Sequence, residues 1–101
     1  MNTESIDCRK VQFGVENIET GRNDGMEKVG DFCFDESFTH IYIWLPGDRQ
    51  GPSAIQINKG AALGERVWGW DGNVDKPTLT PSIHSPGQWH GFLRDGRLVS
   101  C

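Results

Sequence analysis

No run of basic residues occurs in this chain of 101 residues. Its ten Lys and Arg are scattered among fourteen Asp and Glu, for a formal charge of -4. Phosphate neutralisation dominates nucleic-acid affinity and needs a basic stripe, so this scatter argues against DNA or RNA as a partner. Long apolar stretches are missing too. The longest, Ile41 to Leu45, falls far short of the roughly 20 residues of a membrane helix. No Lys/Arg-flanked apolar segment of signal-peptide type opens the chain. Cysteine is sparse and odd in number: Cys8, Cys33 and Cys101, with no C-x-x-C pair. Secreted disulfide scaffolds carry even, closely spaced sets, so these three read as thiols in a reducing compartment. The expectation is a soluble, cytoplasmic protein without nucleic-acid or membrane partners.

Leu and Ala are also scarce, which lowers the prospect of helix. In their place stand 13 Gly and an aromatic fraction of 10%, four of them Trp. Aromatic residues suit a pleated, half-buried surface, and Gly supplies tight turns. The length allows one modest core. The fold class expected is a mostly β, small antiparallel sheet or sandwich with little helix. Residues 10–101 form its single domain, and residues 1–9 a flexible polar N-terminus.

Periodicity locates the elements. Val11 to Val15 alternates apolar and polar, predicting a strand, and Thr20 to Gly25 is turn chemistry. Phe32 to Phe34 predicts a short strand. Phe38 to Leu45 predicts a long central one, with Thr39, Ile41, Ile43 and Leu45 on one face and Phe38, His40, Tyr42 and Trp44 on the other. Ala54 to Asn58 predicts a strand with Ile55 and Ile57 inward. Gly60 to Glu65 has room for one helical turn at most. Val67 to Trp70 alternates, with both Trp on one face, before a turn at Asp71-Gly72-Asn73. Pro77 and Pro81 cannot donate to a ladder, so residues 77–83 belong to an edge or a loop.

The firmest local signal is the chain end. Asp95-Gly96 between apolar alternations predicts a two-residue I′ hairpin. That register opposes Arg94 to Arg97, Leu93 to Leu98, Phe92 to Val99, Gly91 to Ser100 and His90 to Cys101.

Three chemistries fit the side chains. Cys33, His40, His84, His90 and Cys101 have the residue types of a zinc site, and a subset of Cys33, His40, His90 and Cys101 could ligate. Their spacing is unlike a ribbon or finger, and buried thiols with satisfied histidines explain the same residues. A serine hydroxyl needs a base within about 2.6–3.2 Å to become a nucleophile. Ser82 and His90 are separated by a Pro86-Gly87 turn that could fold the hairpin back to bring them together. His84, further along an extended strand, suits that role poorly. Asp71 is a candidate orienting acid, although a turn role explains it equally. Ser82 could instead be a loop hydroxyl bonded to nearby backbone. Finally, the tryptophans at 44, 68, 70 and 89 could form a protein-binding surface or pack the core, and Arg94 with Arg97 could clamp an anion or remain solvated.

The run Trp68-Gly69-Trp70-Asp71-Gly72-Asn73, then Lys76-Pro77-Thr78-Leu79-Thr80-Pro81-Ser82-Ile83, then Trp89-His90-Gly91-Phe92-Leu93-Arg94-Asp95-Gly96 resembles a family of small phage and bacterial proteins of unknown function. Its phage members are sometimes labelled ammonia monooxygenases, and its relatives occur in bacterial operons for ubiquitin-like protein conjugation. The resemblance covers the C-terminal third strongly and extends weakly back to about Gly30. It implies a phage or prophage origin and a peptidase acting on a protein or peptide through the serine of the P-S-I block and the hairpin histidine, here Ser82 and His90. Many relatives also have a Cys-rich, zinc-binding knuckle before the W-x-W region and a Cys shortly before the hairpin histidine. This chain departs from both features: Phe32 to His40 holds only Cys33 and His40, and Gly87 stands near the second Cys position. No cofactor is therefore expected, with zinc the alternative.

Overall fold

The computed structural model describes residues 5–12, 26–47, 52–64, 66–85 and 88–101. Ten strands account for its regular structure, and no helix occurs among the described residues. They are β1 (Ser5–Asp7), β2 (Arg9–Lys10), β3 (Asp31–Phe34), β4 (His40–Ile43), β5 (Ser53–Lys59), β6 (Trp68–Trp70), β7 (Leu79–Thr80), β8 (Ile83–Ser85), β9 (Trp89–Arg94) and β10 (Arg97–Ser100). A four-stranded sheet runs β1-β10-β9-β8 and a six-stranded one β2-β3-β4-β5-β6-β7. The chain crosses between sheets twice, at Cys8 and between β7 and β8. The apolar alternation explains why the two belong together. Phe32, Ile41, Ile43, Ile55, Ile57 and Leu79 from the larger sheet meet Ile83, Leu93 and Leu98 from the smaller in one buried cluster.

The hairpin has the expected register, Arg94 to Arg97 through Gly91 to Ser100. Asp95 and Gly96 have φ of 49° and 74°, the two positive values that a I′ turn requires. The Cys101 N–H donates to the His90 carbonyl at 3.0 Å, which extends the ladder by one pair. Bonds to the preceding segment anchor the turn: Gly96 N–H to the Pro77 carbonyl at 3.0 Å, and Asp95 N–H to Thr78 Oγ1 at 2.8 Å. The polar chain start is also paired, with Ser5–Asp7 against Arg97–Val99.

β4 is central, as its two apolar faces suggested, lying between β3 and β5. It is shorter than the stretch Phe38 to Leu45, for a local reason. The Asp35 carboxylate accepts from the Thr39 and His40 amides at 2.8 and 3.2 Å, and Phe38 takes a φ of 55°. Those bonds hold residues 35–39 as a turn and delay the strand to His40. In β5, Ile55 and Ile57 point inward, 7% and 5% exposed. Residues 60–64 hold no helical turn. The strand expected over 11–15 falls mostly outside the described residues, although the Val11 N–H still bonds the Phe32 carbonyl at 2.8 Å. The expected turn at 20–25 lies wholly outside them. Both proline-flanked strands are sheet edges, β7 of the larger sheet and β8 of the smaller.

Candidate active site

Ser82 sits immediately before β8, where the chain leaves the larger sheet. β8 runs antiparallel to β9 with Ile83 opposite Gly91, His84 opposite His90 and Ser85 opposite Trp89. Continuing that register one step places Ser82 opposite Phe92 and diagonal to His90. Diagonal neighbours have Cβ atoms within about 7–8 Å, close enough for an imidazole to span. Side chains of residues two apart share a face, so Ser82, His84 and His90 all project from the side opposite buried Ile83. The outcome is a hydrogen bond between His90 Nε2 and Ser82 Oγ at 3.0 Å. Ser82 is half-buried and His90 exposed, so the pair is open to a substrate.

Two contacts that the sequence did not signal hold this pair. The Trp68 indole N–H, from the other sheet, donates to the Ser82 carbonyl at 3.2 Å and ties the serine backbone to β6. The His84 ring packs against the His90 ring, centroids 4.8 Å apart and planes inclined by 41°. Its directly opposed position makes that contact unavoidable. Shared parity with Ser82 was the available clue, but the pairing of β8 with β9 could not be read without knowing the 86–87 connection.

Asp71 makes no hydrogen bond to Ser82 or His90 among the described residues. Its carboxylate accepts from the amides of Asn73 at 3.0 Å and Thr78 at 3.2 Å, which is the turn role. Among the described residues no carboxylate bonds the His90 side chain. The metal candidates are likewise dispersed. Cys33 is buried in β3, and His40 Nδ1 lies 2.9 Å from Thr39 Oγ1 and 3.4 Å from Asp35. His90 is engaged with Ser82, and Cys101 is exposed. No three His, Cys, Asp or Glu side chains among the described residues converge on one point, so the donors present do not fit zinc.

The remaining candidates divide. Trp70 is 4% exposed and packs on Phe34 and Phe38, centroids 4.9 and 5.6 Å away. Trp89 donates to Ser100 Oγ at 2.8 Å. Trp70 and Trp89 therefore serve packing and sheet cohesion. Arg94 lies 3.9 Å above the Phe92 ring, and Arg97 pairs with Asp7 at 2.9 Å, so the two do not join in an anion clamp.

Beside the Ser82–His90 pair runs a groove of about 670 Å³. Leu45, Ile55 and Ile83 form its apolar floor, with Trp68, Ala54 and His84 among the residues around it. His84 thus touches both the groove and the dyad.

An all-β protein with a histidine-bonded serine beside a groove is the class that this geometry defines. Residues 24–101 match the family described as bacterial ubiquitination-like system serine protease (BubE), and the chain belongs to that family. The matched span contains both Ser82 and His90. No curated protein and no solved structure matches the chain.

Proposed function

We propose that this protein is a serine hydrolase that cleaves a peptide or isopeptide bond in a protein substrate, with Ser82 as nucleophile and His90 as base. The observation that carries this reading is the 3.0 Å contact between His90 Nε2 and Ser82 Oγ, inside the range for proton transfer. In the productive tautomer His90 carries its proton on Nδ1 and accepts the Ser82 hydroxyl proton on Nε2. The freed oxygen adds to the scissile carbonyl. His90 then returns the proton to the departing amine as the tetrahedral species collapses to an acyl-serine. Water, deprotonated by the same nitrogen, attacks the ester, and Ser82 regains its proton from His90 as the acid leaves. The family description supports a protein substrate within a ubiquitination-like system. The motif resemblance supports a phage or prophage accessory role.

A fluorophosphonate probe, which phosphonylates activated serines, tests the assignment. The wild-type protein is expected to label, Ser82→Ala not at all, and His90→Ala about 10²–10⁴-fold more slowly. Labelling that persists in Ser82→Ala, or a wild-type protein inert to the probe, would overturn the assignment.

A further inference from the structure

Among the described residues, two strand flanks around the groove have no neighbouring strand. β8 is the outer strand of its sheet: β9 covers one side and no described strand the other. Along β5, β4 pairs with Ser53–Gln56 on one side, whereas β6 joins the other side only from Ile57. Ser53–Gln56 and Ile83–Ser85 line the same groove.

The direction of each backbone group follows from the ladders. In an antiparallel pair, residues that face one neighbour with both N–H and C=O alternate with residues that face away. The Cys101 N–H bonds the His90 carbonyl, so His90 faces β10, and its opposed partner His84 belongs to a non-hydrogen-bonded pair. His84 therefore turns its N–H and C=O away from β9, into the groove. On the opposite wall the Ile57 N–H bonds the Thr39 carbonyl at 2.9 Å. The odd-numbered residues of β5 thus face β4, and Ala54 turns both groups away from it. Neither Ala54 nor His84 forms a bond with these groups among the described residues.

An unpaired donor and acceptor on a strand edge are a template for another extended chain. A ligand held by side chains alone would leave them unmatched, whereas a polypeptide in β conformation offers an N–H and a C=O at the matching spacing. Ser82 stands two residues before His84, just ahead of that strand, about 6–7 Å along an extended chain. We propose that the substrate binds as an extended peptide tail added to the edge of β8, its backbone hydrogen-bonded to His84 and its scissile carbonyl carried about two residues further, to Ser82. Ala54 closes the other side of the strand, and the apolar floor takes every second side chain. Pairing of this kind needs several consecutive residues free of other structure, so the substrate class is a protein that presents an extended segment, most simply a chain end. The proposal rests on the assignment of Ser82 as nucleophile.

Binding without chemistry separates the two. Decapeptides are selected from a random library on the immobilised Ser82→Ala protein. The tightest is then resynthesised with each backbone nitrogen methylated in turn, and binding is followed by amide shifts in ¹⁵N spectra. Alternate methylations are expected to weaken binding about three- to tenfold, with the intervening ones neutral, as pairing to one edge demands. The largest shifts are expected at His84 and Ala54. His84→Ala and His84→Pro both lose the ring, but only the proline loses the amide, so His84→Pro, tolerated on an outer edge, is expected to bind about three- to tenfold more weakly than His84→Ala. Failure to select any peptide, methylation effects without a period of two, or shifts away from these strands each overturn strand addition. A chain that binds in this way yet ignores the fluorophosphonate probe refutes the nucleophile instead.

Discussion

Gly91 offers a stringent test of how the hairpin supports the site. It lies in β9 next to His90, opposite Ile83 on one side and Ser100 on the other. A Cβ added there would collide with the Trp89 ring and the Val99 carbonyl oxygen. The indole crosses the glycine because residues two apart share a face, and its N–H is held by Ser100 Oγ at 2.8 Å. Gly91→Ala must therefore expel the indole or part β9 from β10. Overpacking of this kind costs about 1–3 kcal/mol, and loss of the Trp89–Ser100 bond adds about 0.5–1.5 kcal/mol. Together these give a loss of about 1.5–4.5 kcal/mol. In urea unfolding followed by Trp fluorescence, that lowers the midpoint by about 1–2 M. Trp89→Leu frees the ring side of the clash but not the Val99 side. The double variant is thus expected to be more stable than the sum of single losses by at least about 0.5 kcal/mol. Fluorophosphonate labelling should fall along with stability, since any shift of β9 carries His90 off Ser82. A midpoint lowered by less than about 0.3 M, or strictly additive losses, would refute the reasoning.

Asp31 and the thiols give two further tests. Burial alone would raise the Asp31 carboxyl, but hydrogen bonds from Arg9, at 2.6 and 3.0 Å, and from the Glu27 and Lys28 amides outweigh it and hold it below its ordinary value. A depressed carboxylate contributes stability that is complete above the unfolded value of about 3.9 and is lost as pH falls through the folded one. Asp31→Asn is expected to cost about 1.5–3 kcal/mol at pH 7 and to flatten the stability profile below about pH 4; an unchanged profile contradicts this account. Desolvation pushes the Cys8 thiol up to about 12, and Cys33 is buried, while Cys101 is exposed. Iodoacetamide at pH 8 should modify Cys101 first, half-buried Cys8 more slowly because its raised pKa leaves little thiolate, and Cys33 only at the rate of unfolding. Alkylation of Cys8 as fast as Cys101, mapped by mass spectrometry, would contradict its raised pKa.

The strands around Ile41, Ile55 and Trp68 and the hairpin register were legible from period-two signals and a turn whose residues dictate its type, whereas β1 and β2 lie in a polar start without such a signal. Leu93 opposing Leu98 follows from Asp95-Gly96 alone. The long strand from Phe38 was not fully legible, because Asp35 captures two amides across the turn and no periodicity encodes that bond. Ser82 and His90 could be nominated from their spacing and residue types. Their contact depends on β8 pairing with β9, which adjacency in sequence permits but does not require. Asp71 and the metal set rested on residue type only, and type does not say where a side chain points. Trp68 was the least legible, since its bond to the Ser82 carbonyl joins two sheets and has no local signature.

That last bond bears on how the site works. Each partner of the dyad is fixed by a different sheet neighbour: the Ser82 backbone by Trp68 of the larger sheet, the His90 backbone by Cys101 at the end of β10, and the His90 ring by His84. One exposed hydrogen bond contributes little in water, so the 3.0 Å contact depends on how β8 is seated as well as on the bond itself. β8 is short and paired on a single side, the condition under which a strand opens most readily. A peptide added to its free flank would pair it on both sides. On the proposed reading, peptide binding and alignment of Ser82 would then be a single event, and His90, bonded to no carboxylate among the described residues, would gain order when the peptide is in place.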